Sequence, residues 1–284
     1  MATPSQVFTL GHSPDPDDAF MFYAMAQNRI DLRGYRFEHW LEDIQTLNER
    51  ALRGELHISA ISIHAYAYVA DKYALLPCGA SMGDGYGPIV IGKILTQKSE
   101  IRNTLRDCVI AVPGKMTSAY LALQLYLGEF EHVVVPFDRI LEALSNGKAD
   151  AGLLIHEGQL TYASAGFQKI VDLGEWWKGR TGLPLPLGGN VLRKDIPARL
   201  QRDLAEIIRE SIEYGLSHRA EAVKHSMAYA RDLSTSLADK FIGMYVNDYT
   251  RDYGERGRAA VRKFLGEAHR SGYIDAPVGV EFVE

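Results

Sequence analysis

The chain contains only two cysteines, Cys78 and Cys108, in 284 residues. Two thiols are too few for a disulfide framework or a thiolate metal site, so each is predicted to be a small buried side chain. Basic residues are not in excess either, because the net charge is −5, and this balance argues against a nucleic-acid partner. No apolar run approaches the roughly 18 residues that a membrane span requires, so no membrane partner is expected.

The first seven residues, MATPSQV, have no basic segment followed by an apolar one, so no signal peptide is predicted. Hydrophobic residues make up 46% of the chain and charged residues 24%, which is typical of a soluble folded protein. The length allows one large domain or two ordinary ones. We expect a cytoplasmic protein without a structural metal.

Strand-like and helix-like segments alternate through the first two thirds of the chain, which predicts an α/β fold. The predicted strands cover residues 7–10, 56–62, 108–112, 132–135 and 152–155. Helices are predicted at residues 17–28 and 40–53, and most of the chain after residue 196 is predicted to be helical.

A helix, a glycine and a strand follow one another twice, first up to Ser62 and again up to His156. The loops at residues 79–88 and 181–190, rich in glycine or proline, are placed where the chain would cross between two units. We therefore predict two α/β domains with a ligand cleft between them. The larger, discontinuous domain would comprise residues 1–90 and 191–284, and the smaller one residues 91–190.

His156 follows the apolar strand predicted at residues 152–155. Ligands of α/β proteins commonly bind at the carboxyl ends of strands, and imidazole exchanges protons near neutral pH. His156 is therefore the candidate general base, with a purely structural strand-end histidine as the alternative. His12, after the first strand, is a second possible base with the same alternative.

Residues 112–120, VPGKMTSAY, predict a strand, a glycine turn and the start of a helix. Thr117 or Ser118 can cap this helix, and the unpaired amides of its first turn can attract an anion. This turn either holds a carboxylate of a ligand, with Lys115 nearby, or is an ordinary helix cap.

Three carboxylates, Asp15, Asp17 and Asp18, open the first predicted helix. Oxygen ligands suit divalent metals, but acidic residues in a first helical turn are already explained by the helix dipole. Since no further ligand set follows along the chain, no metal site is predicted.

Six runs in order along the chain resemble one enzyme family: SPDPDDAFMFY (13–23), LEDIQTLN (41–48), VPG (112–114), TSAY (117–120), IHE (155–157) and LPLPLG (183–188). Together they are similar to the 1,4-dihydroxy-6-naphthoate synthases of the futalosine route to menaquinone. The resemblance implies a type II periplasmic-binding-protein-like fold used as a cytoplasmic, cofactor-independent carbon–carbon lyase. The implied substrate, cyclic dehypoxanthine futalosine, is a small carboxylate.

The resemblance also implies roles for individual residues. His156 matches the catalytic base of the family, and the ligand-binding positions are implied to be Asn48, Ala60, Ser62, Thr117 and Ser118. Ala60 stands where the family often has a lysine. Asp15, Asp17 and Ala19 likewise replace the Cys, Asn and Thr of the common motif Ser-Pro-Cys-Pro-Asn-Asp-Thr-Phe, and these departures bear on the substrate more than on the fold.

Two other functions fit the same fold. One is a solute-binding protein that closes on a small carboxylate without reacting, and the other is a paralogue that binds the ligand but has lost turnover. Detection of product distinguishes the enzyme from both, because fold alone does not determine function. The sequence predicts neither the oligomeric state nor the group that orients His156, since Glu157 in a continuing strand would face the opposite side.

Overall fold

A computed structural model describes residues 6–93, 100–230 and 233–284. Most of the segment on which the signal-peptide prediction depends, residues 1–5, lies outside the described residues. Within the described ranges, no helix is both long enough and apolar enough to cross a membrane.

The described strands are short, and most of them are buried. They are β1 (Val7–His12), β2 (Arg36–Leu41), β3 (Ile58–Ser62), β4 (Tyr73–Leu75), β5 (Ser81–Gly83), β6 (Ile89–Gly92), β7 (Ile110–Val112), β8 (His132–Val134), β9 (Ala151–Leu154), β10 (Gln168–Asp172) and β11 (Leu185–Arg193).

The two longest of the described helices lie in the last third of the chain. They are α1 (Pro16–Met21), α2 (Tyr23–Ala26), α3 (Ile44–Arg53), α4 (Ile63–Tyr66), α5 (Ile101–Arg106), α6 (Ser118–Leu127), α7 (Ile140–Ser145), α8 (Gly158–Thr161), α9 (Leu173–Thr181), α10 (Ala198–Ser217), α11 (Arg219–Ser226), α12 (Thr235–Tyr245), α13 (Asp248–Arg251) and α14 (Gly254–Arg270).

The strands form two separate mixed sheets. The first has the order β2-β1-β3-β11-β4, with β5 also paired to β11, and the second has the order β10-β6-β9-β7-β8. The chain leaves the first sheet after β5 and returns to it with β11, so the connections near residues 84–88 and 173–184 link the two. The domain limits at residues 90 and 190 stay a prediction, and β11, which includes residues 185–190, pairs within the first sheet.

The apolar side chains that predicted the strands fill the cores beside these sheets. Leu10 and Ile58, on neighbouring strands of the first sheet, are fully buried against α10 residues such as Ile208. In the second sheet, Ile91 and Ala111 are fully buried in a cluster with Ile140 of α7. Both sheets therefore have an apolar face covered by helices, the arrangement that positions the strand ends around a common cleft.

Two helix predictions differ from the structure. The helix predicted at 40–53 begins at Ile44, and Trp40 and Leu41 end the edge strand β2 with about 40% of their surface exposed. The physical reason is the cap, because the Asp43 carboxylate accepts hydrogen bonds from the N–H groups of Gln45 and Thr46.

The helix predicted at residues 17–28 is divided. The structure has α1 and α2 there, separated at Phe22, whose backbone (φ −95°, ψ 4°) leaves the helical region. The apolar stripe predicted from residues 17–28 is still buried, since Phe20 and Tyr23 both lie in the core next to α10 and α11. Hydrophobic spacing therefore located the buried face but not the break.

Candidate active site

A cleft lies between the two sheets, and its empty space, counted together with the solvent at its open mouth, is about 740 Å³. It is lined from the first sheet by the acidic turn at Asp15–Asp18 and the ends of β3 and β11, and from the second by the turns before α6 and α8. The cleft contains five of the six predicted site residues, namely Ala60, Ser62, Thr117, Ser118 and His156. Asn48 lies behind its wall.

His156 contacts a buried carboxylate on the opposite side of the cleft. Its Nδ1 lies 3.1 Å from Oδ2 of Asp15, whose side chain is 1% exposed. The second ring nitrogen, Nε2, is buried and has no hydrogen-bond partner among the described residues. A proton on Nδ1 directed at Asp15 leaves the lone pair on Nε2, which is the tautomer a general base requires.

The backbone of His156 is in an unusual conformation. Its φ of 55° is in the left-handed region, which few residues other than glycine adopt, although asparagine, aspartate and histidine adopt it more often than most. The strand β9 ends at Leu154, and Glu157 occupies the N-cap position of α8 with a helical backbone conformation. The expectation that Glu157 would face the opposite side of a continuing strand was therefore wrong. Such strain concentrates at functional sites and persists only where surrounding contacts hold it.

Gln159 supplies one of those contacts. With its amide oriented to satisfy its neighbours, Oε1 accepts from the backbone N–H of His156 at 3.3 Å and the amide nitrogen donates to the Gly87 carbonyl at 2.6 Å. The Tyr245 hydroxyl, from α12, also bonds to this amide. The turn that carries His156 is therefore fixed from both sides of the cleft.

The acidic turn is held together by Ser13. The Ser13 hydroxyl donates to Asp15 Oδ2 at 2.5 Å, and the Ser13 N–H donates to Asp18 Oδ2 at 2.6 Å. Burial raises the pKa of Asp18 in spite of this hydrogen bond, and the charge of Asp15 raises it further. Burial followed by the charges of Asp18 and Asp15 also raises the pKa of Asp17, to about 8.

Among the described residues, no group of three or more His, Cys, Asp or Glu side chains has an arrangement that could hold a metal ion. The Asp15 carboxylate of this turn contacts the imidazole of His156, and Asp17 and Asp18 also line the cleft.

His12 lies beside this turn but faces away from the cleft. Its Nε2 lies 2.9 Å from Nδ1 of His39, and its Nδ1 lies 3.3 Å from the Ser13 carbonyl. Burial, with a contribution from His39, lowers the pKa of His12 to about 3. His12 does not line the cleft, so we interpret it as a structural histidine at the end of β1 rather than as a second base.

Thr117 is the N-cap of α6. Its hydroxyl accepts from the N–H of Tyr120 at 3.1 Å and donates to the Gly114 carbonyl at 2.8 Å. The N–H groups of Ser118 and Ala119, in the first turn, have no partner within the helix and lie at the cleft wall. An anion is therefore attracted here by backbone amides, while Lys115 is exposed and does not line the cleft.

The turn before α6 also contacts α3 across the cleft. The side-chain oxygen of Gln45 accepts from the N–H of Met116 at 3.2 Å. Gly114 has φ 153°, and a Cβ at this position would lie 2.3 Å from that same oxygen. A side chain at position 114 would therefore strain the backbone and displace the Gln45 side chain from Met116.

The hydroxyl of Ser118 is occupied by the protein itself. It donates to the carbonyl of Leu187 at 2.5 Å and accepts from the N–H of His64 at 3.1 Å. The side chain of Ser118 therefore joins α6 to the start of α4 and to β11. The contact with ligand that the resemblance implies would be made by the backbone N–H of Ser118.

Ser118→Ala is expected to lower the free energy of unfolding by about 1–3 kcal/mol, because two buried backbone groups would each lose a hydrogen bond. Urea unfolding followed by circular dichroism measures the change. Ser164→Ala, at an exposed serine, is the matched control and should change stability by less than about 0.5 kcal/mol. An equal, small effect for both variants would contradict the bridging role.

Asn48 acts on the cleft through Ser62. Its amide nitrogen donates to the Ser62 hydroxyl at 3.0 Å, and its Oδ1 accepts from the Ser62 N–H at 2.8 Å. Asn48 is fully buried, so it orients Ser62 rather than lining the cleft. Ala60, which is 7% exposed, adds an apolar patch to the same wall.

Sequence reasoning missed Gln159, Tyr245 and Asn190 as cleft residues and did not identify Asp15 as the partner of His156. Asp15 stands inside a run that was singled out, so its position in the motif was a signal. The other three lie outside the six runs, although Gln159 and Asn190 each follow one of them by two residues, and the tertiary fold brings them to the cleft.

The sequence profile described as menaquinone biosynthesis matches residues 8–270. A 1,4-dihydroxy-6-naphthoate synthase from Thermus thermophilus is 41% identical over 267 residues, which cover 94% of this chain and 96% of the relative. An enzyme of the same name from Streptomyces coelicolor is 37% identical over 273 residues, with 94% of each chain covered.

A solved structure from Archaeoglobus fulgidus is 44% identical, with a TM-score of 0.89 over 94% of this chain and 98% of the other. More distant structures share the fold alone. A Candida albicans protein described as having the generic periplasmic binding protein fold gives a TM-score of 0.72 at 12% identity, over 99% of this chain and 98% of the other. The ligand-binding component of a Staphylococcus aureus importer gives 0.73 at 14%, over 99% and 97%.

These similarities confirm the predicted periplasmic-binding-protein-like fold with its mixed α/β sheets. The relatives that match most of the chain are named as synthases of menaquinone biosynthesis, and the family profile spans both sheets. The chain belongs to the menaquinone biosynthesis family that includes the 1,4-dihydroxy-6-naphthoate synthases.

Proposed function

We propose that this protein is a cytoplasmic carbon–carbon lyase that converts cyclic dehypoxanthine futalosine to 1,4-dihydroxy-6-naphthoate in the futalosine route to menaquinone. The observation that carries the proposal is the pairing of His156 with Asp15 inside the cleft, at 3.1 Å. The names of the relatives support the product, and the resemblance of the motifs supports the substrate.

The substrate is proposed to bind with its aromatic carboxylate at the start of α6. The free N–H groups of the first helical turn favour an anion by about 0.3–1 kcal/mol when exposed and by up to about 2 kcal/mol when partly buried. The carbocycle that bears the sugar would then lie toward His156. Ser62, oriented by Asn48, completes the wall between these two ends.

His156 Nε2 is proposed to remove a proton from this carbocycle, and the imidazolium that forms is stabilised by the Asp15 carboxylate. The electron pair left on carbon forms a ring double bond while the bond to the sugar-derived fragment breaks, and the fragment leaves with the electrons of that bond and accepts the proton held by the imidazolium. A general base of this kind contributes about 10²–10⁴-fold in rate, and the remainder comes from holding the substrate in a closed cleft. The proposed step is a proton transfer and calls on no cofactor.

Purified protein incubated with cyclic dehypoxanthine futalosine is expected to release 1,4-dihydroxy-6-naphthoate, identified by chromatography and mass spectrometry. Isothermal titration calorimetry with the same compound provides the binding measurement. Binding without any product would contradict the enzymatic proposal and favour a ligand-binding protein, whereas neither binding nor product would show that the substrate is wrong.

A further inference from the structure

The cleft is rich in carboxylates and poor in cations. Asp15, Asp17 and Asp18 all line it, whereas no lysine or arginine occurs among the described residues of its wall. Three ionised carboxylates within one turn repel one another, and together they would repel a carboxylate ligand. An anion therefore binds well only if protons reduce the negative charge of the turn.

The three carboxylates differ in their partners. Asp15 contacts His156 and accepts from the Ser13 hydroxyl, and Asp18 accepts from the Ser13 N–H. No side chain of the described residues forms a hydrogen bond or an ion pair with Asp17. Asp17 keeps some accessible surface because it lines the cleft, and its carboxyl is the one left to face a ligand.

Asn190 gives a separate indication that a ligand completes this wall. Its side chain, 1% exposed, donates to the Gly79 carbonyl at 3.1 Å, while its Oδ1 is buried and has no partner among the described residues. A buried acceptor left unsatisfied costs free energy, so a donor on the ligand is expected at this position. The cleft therefore presents a buried polar group that a bound molecule can satisfy.

We propose that Asp17 is protonated in the working enzyme and that its carboxylic acid donates a hydrogen bond to an oxygen of the anionic substrate. This inference rests on the proposed function for the charge of the substrate. The proton serves two purposes, because it supplies a donor and it removes a negative charge from the cleft.

The groups that face Asp17 support this assignment. Burial, followed by the charges of Asp18 and Asp15, raises the pKa of Asp17 to about 8, and His156 opposes the rise. Tyr245, from α12, also lies near, and burial raises its pKa, so it stays neutral throughout the range. The raised pKa means that Asp17 is a neutral donor below about pH 8 and an additional anion above it.

The dissociation constant of 1,4-dihydroxy-6-naphthoate, measured by calorimetry between pH 6 and 9.5, tests the inference. For the wild type, the dissociation constant is expected to increase above about pH 8 and to approach a tenfold increase per pH unit, since binding then requires the uptake of one proton. Asp17→Asn, which is neutral at every pH, should remove this rise. Asp17→Ala, which lacks the donor, should weaken binding by about 2–10-fold at pH 7.

Asp71→Asn, at an exposed carboxylate, is the matched control and should keep the wild-type pH profile. A ligand-free readout comes from infrared difference spectra of wild type minus Asp17→Asn, in which a protonated carboxyl band is expected at pH 7 and not at pH 9.5. Absence of that band at pH 7, or the same alkaline rise in Asp17→Asn, would overturn the inference. If the carboxyl band titrates as expected but the protein forms no 1,4-dihydroxy-6-naphthoate, the inference about Asp17 stands and only the proposed function is contradicted.

Discussion

His156→Ala is expected to lower kcat by about 10²–10⁴-fold, because the variant loses the proposed proton acceptor. The loss should be confined to turnover, since the start of α6 and Asp17 still hold the ligand. Steady-state release of 1,4-dihydroxy-6-naphthoate measures kcat, and calorimetry with the same compound measures binding. A dissociation constant within a few fold of the wild type would show that the cleft is intact.

His218→Ala is the matched control, because His218 is exposed, lies at the end of α10 and stacks on Tyr214 far from the cleft. It should keep the wild-type kcat. If His156→Ala also keeps its full rate, the base is another residue and His156 is a structural histidine of the turn.

Asp15→Asn is expected to lower kcat by about 10²–10⁴-fold without a large change in the conformation of the turn, because the asparagine side chain has nearly the same size. An asparagine amide can donate to Nδ1 of His156, which places the ring proton on Nε2 and removes the lone pair that the reaction needs. The corresponding change in the serine protease triad lowers kcat about 10⁴-fold through the same tautomer exchange. Kinetics give the rate, and ¹⁵N spectra of the His156 ring report the tautomer directly.

Asp138→Asn, at an exposed carboxylate before α7, serves as the control for removing one charge and should leave both measurements unchanged. A slow Asp15→Asn enzyme with the wild-type ring tautomer would show that Asp15 acts through packing of the turn. A fast Asp15→Asn enzyme would show that the 3.1 Å contact does not contribute to the base.

Much of the site was predictable because its parts are local. A strand followed by a polar residue identified His156, and a hydroxyl before an apolar helix identified the cap at Thr117, since both features depend on neighbours within a few residues. Alternating strand and helix patterns likewise predicted an α/β fold, as expected when each element buries one apolar face, and the repeated helix–glycine–strand arrangement predicted two such units.

The remaining features of the site depend on contacts between distant segments. The pairing of Asp15 with His156 joins the turn after β1 to the turn after β9, and no pattern within either segment encodes their separation. The same holds for Ser118, which the resemblance implies to be a ligand-binding position and whose hydroxyl joins β11 to α4. Trp40 was assigned to a helix because its strand lies at an exposed edge, where hydrophobic alternation is weak.

The position of β11 in the middle of the first sheet has a consequence for folding. Ser62 of β3 pairs with Gly188 of β11, and all five strands of the second sheet lie between them in the sequence. During synthesis the edge of β3 therefore stays unpaired until nearly two thirds of the chain has been made, while the second sheet can complete its own pairings earlier. Long-range pairing of this kind slows folding and leaves the edge of β3 open to aggregation until β11 arrives.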